Sequence, residues 1–207
     1  MKKIFFIAAV AILVFGVGTY FIGKSDAYKL QKEIAEEIIR FHVRANSDSV
    51  EDQNLKLMVK DAIVLYLQDV LDEAKHLDEA RNILYDCRDE IKSIALDVIN
   101  EEGYDYQVDV YFEEAYFPMK VYGDMSFPPG TYEAFRVDIG AACGKNWWCV
   151  LYPPLCFVDS TYSVVPKDTK KQFEEVLSKE AYSAICDDTS ENTYEYKFRF
   201  LTFLNKE

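Results

Sequence analysis

Clustered metal and redox ligands are missing from this chain. It has five cysteines and two histidines in 207 residues. No Cys-x-x-Cys occurs, which removes the thioredoxin-type redox pair and the zinc ribbon. His42 and His76 stand far apart with no second imidazole near either, so no metal site is expected. G-x-S-x-G, H-E-x-x-H, the P-loop and G-x-G-x-x-G are all absent, and with them the commonest signatures of hydrolases, zinc proteases and nucleotide enzymes. Positive charge is scarce: 23 Lys and Arg face 36 Asp and Glu, a net charge of −13, without any basic run. That balance opposes binding to nucleic acid or to anionic lipid headgroups. There is no internal repeat and no low-complexity segment. No cofactor is expected.

Apolar and aromatic residues are plentiful, at 50% and 15% of the chain. That is enough for one substantial core. The densest stretch is Asn146–Asp159, NWWCVLYPPLCFVD, which holds both tryptophans. Trp147 to Leu151 are apolar without a break, the pattern of a strand buried on both sides. Pro153 and Pro154 lack N–H donors and must end it. Leu155 to Val158 then return as a second apolar segment, giving a core hairpin, with part of the cluster free to line a partner surface. Cys149 and Cys156 flank the Pro-Pro turn. They either face each other as a disulfide or pack as free thiols. With Cys87, Cys143 and Cys186 the count is odd, so at least one thiol stays unpaired in an exported monomer.

Export is read from the N-terminus. Met1-Lys2-Lys3 precedes the apolar run Ile4–Ile22, so residues 1–27 are a signal peptide, cleaved after Ser25-Asp26-Ala27, or an N-terminal membrane anchor. The two lysines place the N-terminus inside and the remainder outside. Residues 28–207 are expected to form a single exported domain that meets the membrane only through this segment.

That domain reads as α+β or α/β. A mixed or antiparallel sheet of about five strands is packed by two long helices and one C-terminal helix. Tyr28–Ile34 has helical spacing. Ile38–Ala45 alternates, with Ile39, Phe41 and Val43 inward and Arg40, His42 and Arg44 forming a basic outer edge. His42 there is expected to be solvated or paired rather than catalytic. Ser49 with Asp52, or Asp48 with Glu51, caps a helix. Its stripe is Leu55, Val59, Ile63, Tyr66 and Val70. A second helix should run from Asp78 to a terminating Gly103. Strands follow at Tyr106–Phe112, with an interruption at Glu113-Glu114, and at Tyr132–Gly140. Turn-rich chain lies between them. A late helix spans Asp168–Cys186, and Tyr194–Phe200 alternates as a closing strand.

The NWWCVLYPPLCFVD run, with YGDMSFPPGTYEAFRVDIG before it and RANSDSVEDQNLK upstream, resembles the stage II sporulation protein R family of endospore-forming bacteria. The likeness extends from Ile38 to Phe203. It implies a signalling protein rather than an enzyme, exported from the forespore into the space between forespore and mother cell. The implied partner is a membrane-embedded aspartic protease, stage II sporulation protein GA, which then cleaves the pro-form of mother-cell sigma factor E. The resemblance supplies no catalytic residues. Preorganised turns and aromatics nominate Tyr122, Phe127, Pro128, Trp147, Trp148, Tyr152, Pro153 and Pro154 as the contact surface. The competing reading is an exported thiol hydrolase acting on peptide or cell wall, with Cys149 or Cys156 as nucleophile and His42 as base. A membrane-anchored structural protein is a third.

Overall fold

Three alternating segments and one continuous apolar run build the sheet around which the rest is arranged. A computed structural model describes residues 27–156 and 164–186. Within them a helix, α1, covers residues 27–36. Then come β1 (Ile39–Arg44), α2 (Val50–Leu71), α3 (Leu77–Asp86) and α4 (Arg88–Glu101). The second half holds β2 (Val108–Phe117), β3 (Lys120–Tyr122), β4 (Met125–Phe127), β5 (Gly130–Ile139), β6 (Asn146–Tyr152), α5 (Lys167–Val176) and α6 (Lys179–Ile185). The main sheet has the order β2-β5-β1-β6. β1 runs parallel to β5, while β6 and β2 are antiparallel to their neighbours. β3 and β4 form a separate two-stranded ribbon. The fold is thus α+β with a mixed sheet.

Both faces of the sheet are covered, by different means. Ile39, Phe41 and Val43 of β1, with Phe135, Val137 and Ile139 of β5, meet the buried stripe Leu55, Val59, Ile63 and Leu67 of α2 and Ile91, Ala95 and Ile99 of α4. The opposite face packs Phe117, Tyr132, Ala134 and Val150 under Met125 and Phe127 of the ribbon and Phe173, Ala181 and Ile185 of the late helices. Ile34 and Ile38 join this second core.

Several sequence expectations are corrected. β1 is an interior strand, so Arg40, His42 and Arg44 do not form an exposed basic edge: Arg40 and His42 are buried. β6 lies at an edge of the four-stranded sheet rather than at its centre. Glu113 and Glu114 do not interrupt β2, whose pairing with β5 continues from Val108↔Ile139 to Phe117↔Gly130. The helix expected from Asp78 to Gly103 is two helices that meet at Cys87, with His76 rather than Asp78 at the first N-cap position. Gly103 does follow the last turn, at φ 81°. The late helix is also two, because Ser178 turns the chain and its hydroxyl accepts from the Ala181 N–H. The return segment after Cys156 and the strand Tyr194–Phe200 lie outside the described residues, as does the N-terminal apolar run.

The RANSDSVEDQ stretch is a polar joint centred on the buried Asp52. Ser49 caps α2, its hydroxyl accepting from the Asp52 N–H at 3.1 Å. The Asp52 carboxylate accepts from Asn46 Nδ2 and Ser47 Oγ. Asn46 Oδ1 accepts from the Ala141 N–H, and Asp48 Oδ1 from the Lys145 N–H. The β1–α2 turn is thereby tied to the β5–β6 link. Close approach there requires glycine: a Cβ at Gly144 would lie 2.1 Å from the Ser47 carbonyl oxygen.

Burial alone would push the Asp52 carboxyl up, but hydrogen bonds from Ser47, Asn46, Tyr106 and Ser49 hold it below the usual aspartate value. Its stabilisation is therefore present above the unfolded value of about 3.9 and is lost as pH falls through the folded one. Asp52→Asn should cost about 1–3 kcal/mol in urea unfolding at pH 7. The gap to the wild type should narrow below about pH 4. Equal stability at pH 7 would remove Asp52 as the keystone of the joint.

Candidate functional site

Three rungs of the sheet on the ribbon-covered face carry charged residues. In register, Glu113, Ala134, Arg40 and Val150 form one rung. Tyr111, Arg136, His42 and Trp148 form the next, and Asp109, Asp138, Arg44 and Asn146 the third. The ribbon covers the first, and the site begins where that cover thins.

Arg40 is fully buried. Its guanidinium carbon lies 4.5 Å from the Phe117 ring centroid, 5.2 Å from Tyr132 and 5.5 Å from Phe127. Nε donates to the Cys149 carbonyl at 3.2 Å and Nη2 to the Tyr122 hydroxyl at 3.3 Å. The Tyr122 hydroxyl in turn donates a hydrogen bond to the Trp148 carbonyl at 3.2 Å. No ion pair with a carboxylate forms among the described residues, and Nη1 has no acceptor there.

His42 is 2% exposed. It stacks on Trp148 with centroids 5.1 Å apart and packs against Phe117 at 5.5 Å. Nε2 lies 3.3 Å from Glu113 Oε1, but neither ring nitrogen makes a well-directed hydrogen bond. Glu113 is instead committed to Arg136, whose Nη1 reaches it at 2.6 Å while Nε reaches Asp138 at 2.7 Å. The Tyr111 hydroxyl donates to Asp138. Burial and this hydrogen bond to Asp138 push that hydroxyl up to about 12.

The sequence-nominated residues divide into three places. Tyr122 and Phe127 sit in the ribbon around Arg40, with Phe127 buried. Pro128 follows in the turn to β5, partly exposed. Trp147 and Trp148 point to opposite faces of β6 and both remain half-buried. Trp147 meets Phe41 edge-on at 6.0 Å, with the Lys60 ammonium 5.0 Å from its ring. Tyr152, Pro153 and Pro154 line a cleft of about 560 Å³ against the end of α2 and the side of α5. Of these three only Pro154 is half-exposed. Cys149 and Cys156 are joined in a disulfide with Cα atoms 5.3 Å apart.

Among the described residues no group of three or more His, Cys, Asp or Glu is placed to hold a metal. Nor is any helix there long and apolar enough to cross a membrane. The thiols named as nucleophiles are bonded to each other. Cys87, at the junction of α3 and α4, has its thiol pushed up to about 11 by burial, the wrong direction for attack. Sequence reasoning missed the buried Arg40 and the Glu113–Arg136–Asp138 chain. The available signal was charge of opposite sign at alternate positions of three strands, which becomes meaningful only once those strands are neighbours.

Burial, and then the nearby Arg136 charge, lower the His42 pKa to about 4, against the opposing pull of Glu113 and Asp138. Folded His42 is therefore neutral at pH 7. Below about pH 6.5 the unfolded chain takes a proton that the folded one refuses, so stability falls with pH down to about 4, by roughly 3 kcal/mol in all. Unfolding midpoints at pH 7 and pH 5 should show this drop, and His42→Gln should flatten it. An NMR titration of His42 near the ordinary histidine value would overturn it.

The comparisons with known proteins agree with one another. The family model for stage II sporulation protein R matches residues 35–162, which take in the whole four-stranded sheet, the ribbon and the Pro-Pro turn. Stage II sporulation protein R of Bacillus subtilis (strain 168) is 39% identical over 150 residues, covering 70% of this chain and 67% of that protein. No solved structure matches. The residues that build the sheet, its buried Arg40 and the tryptophan strand all fall within the matched region, and the chain belongs to the stage II sporulation protein R family.

Proposed function

We propose that this chain is an exported sporulation signal that acts by binding. Outside the membrane it crosses, it engages the membrane-embedded aspartic protease stage II sporulation protein GA, which then cleaves the pro-form of mother-cell sigma factor E. Family membership is the observation that carries this reading. The apolar run Ile4–Ile22 behind Lys2-Lys3 supports export. The site supports binding over catalysis. His42 is neutral, buried and without a nucleophile beside it, and the two cysteines that a thiol hydrolase would use form a disulfide. The mechanism is differential affinity: the protease's active state must bind this chain more tightly than its resting state does. A shift from 1% to 99% active would need about a 10⁴-fold preference.

Reconstitution tests it. The pro-sigma factor and the protease are expressed in a vegetative host with and without this chain, and the size of the sigma factor is followed by blot. Processing should appear only when the chain is present and exported. Cys149→Ser with Cys156→Ser, assayed at a temperature where the protein is folded, should still trigger processing. No processing with all three proteins in place would sink the signalling role. Loss of activity in the folded double variant would revive the thiol hydrolase.

A further inference from the structure

A second feature lies away from the tryptophan strand, at the far end of the β2–β5 ladder. A groove of about 750 Å³ is floored by Glu114 and Tyr116 of β2 and Glu133 of β5. Its walls are Tyr28 of α1 on one side and Pro128-Pro129 on the other. The groove is prebuilt. Gln31 Nε2 donates to the Thr131 carbonyl at 3.0 Å, and its side chain fills the space in which a Cβ at Gly130 would sit, 2.2 Å away. The separation of α1 from the ladder is thereby fixed.

Three observations say what the groove would hold. Tyr28 and Tyr116 are each 67% exposed, two large amphipathic rings that the fold leaves unused. Rigid aromatics beside a Pro-Pro wall present apolar contact area at low entropic cost. The charge is negative: Glu36, Glu114 and Glu133 line the groove against Lys32. Lys32 pairs Glu36 and Arg81 pairs Glu133, which leaves Glu114 without an ion pair among the described residues. Finally, the outer edge of β2 is unpaired among the described residues, so its backbone groups are free to align an extended chain. The groove also adjoins Ala27, where the described chain meets the segment read as its export or anchor sequence.

We propose that this groove binds an extended, positively charged segment of a protein partner, its apolar or prolyl side chains seated against Tyr28 and Tyr116. The inference rests on the signalling reading, in which the partner is the membrane protease.

The test uses the full chain in the three-protein host. Tyr116 is replaced by the photocrosslinker p-benzoylphenylalanine, with Leu65, 69% exposed on α2, replaced in a control. A crosslink to the protease from position 116 and none from 65 is expected. Glu114→Lys, at matched exported amounts and an unchanged melting temperature, should reduce sigma processing at least tenfold, and Glu114→Gln by less. Wild-type processing with no crosslink from 116 and full activity of Glu114→Lys would overturn the groove while leaving the signalling reading intact. A crosslink from 116 only into this chain itself would assign the groove to the chain's own segment and also overturn it. No processing with the unmodified chain would overturn both.

Discussion

Arg40 is the constraint on which the two layers depend. Its strand faces helices on one side and the ribbon on the other, so the guanidinium has no route to water. Arginine cannot shed its proton at accessible pH, and burying a cation costs several kcal/mol unless polar partners replace water. Here the replacements are the Cys149 carbonyl, the Tyr122 hydroxyl and the faces of Phe117, Phe127 and Tyr132. Each ring face contributes of the order of 0.5–2 kcal/mol, toward the larger figure when dry. Those partners come from β2, the β3–β4 ribbon, β5 and β6. Displacing any of them leaves the cation less compensated, which makes the ribbon an obligatory part of the fold rather than an ornament on it.

The same charge explains why the sequence misleads. Arg40-Phe-His-Val-Arg44 alternates like a strand with one wet face, and period-two reasoning assigns the basic side to solvent. Alternation reports two chemically different faces and says nothing about whether the polar one is covered. A second layer decides that, and the second layer comes from β3, β4, α5 and α6, which are distant in sequence. Elements with local causes were legible: the Ser49 cap, the first half of the α2 stripe (Leu55, Val59 and Ile63), the Phe135-Val137-Ile139 face and the stop at Pro153; further along α2 the core positions are Leu67 and Leu71, with Tyr66 and Val70 only partly buried beside them. Elements that depend on tertiary geometry were not. Cys87 and Ser178 each break a continuous apolar rhythm, because a stripe can pass from one helix to the next without losing phase. Likewise, Glu113 reads as an interruption until Arg136 is seen beside it.

Of the eight residues nominated for a partner surface, Phe127, Tyr152 and Pro153 are buried, so composition alone overstated that surface. Aromatic density marks both cores and interfaces; only exposure separates them. By that measure the tryptophan strand is mixed, with Cys149, Val150 and Leu151 inside and the two indoles at the boundary.

The indole at that boundary has its own support. Trp148 is held from below by its stack on His42, and the Lys120 ammonium of the ribbon lies 5.7 Å from its ring. His42 can serve as a flat apolar support only while neutral, and burial beside Arg136 keeps it so at pH 7. Arg136 in turn is fixed between Glu113 and Asp138, so the group that discharges the histidine cannot swing away. An imidazole arranged in this way is poor at proton transfer, because its basicity has been suppressed rather than tuned toward neutrality. It does hold the indole in place, because that ring cannot tilt without exposing a buried histidine. The rung Tyr111-Arg136-His42-Trp148 therefore couples charge pairing at one end to aromatic orientation at the other.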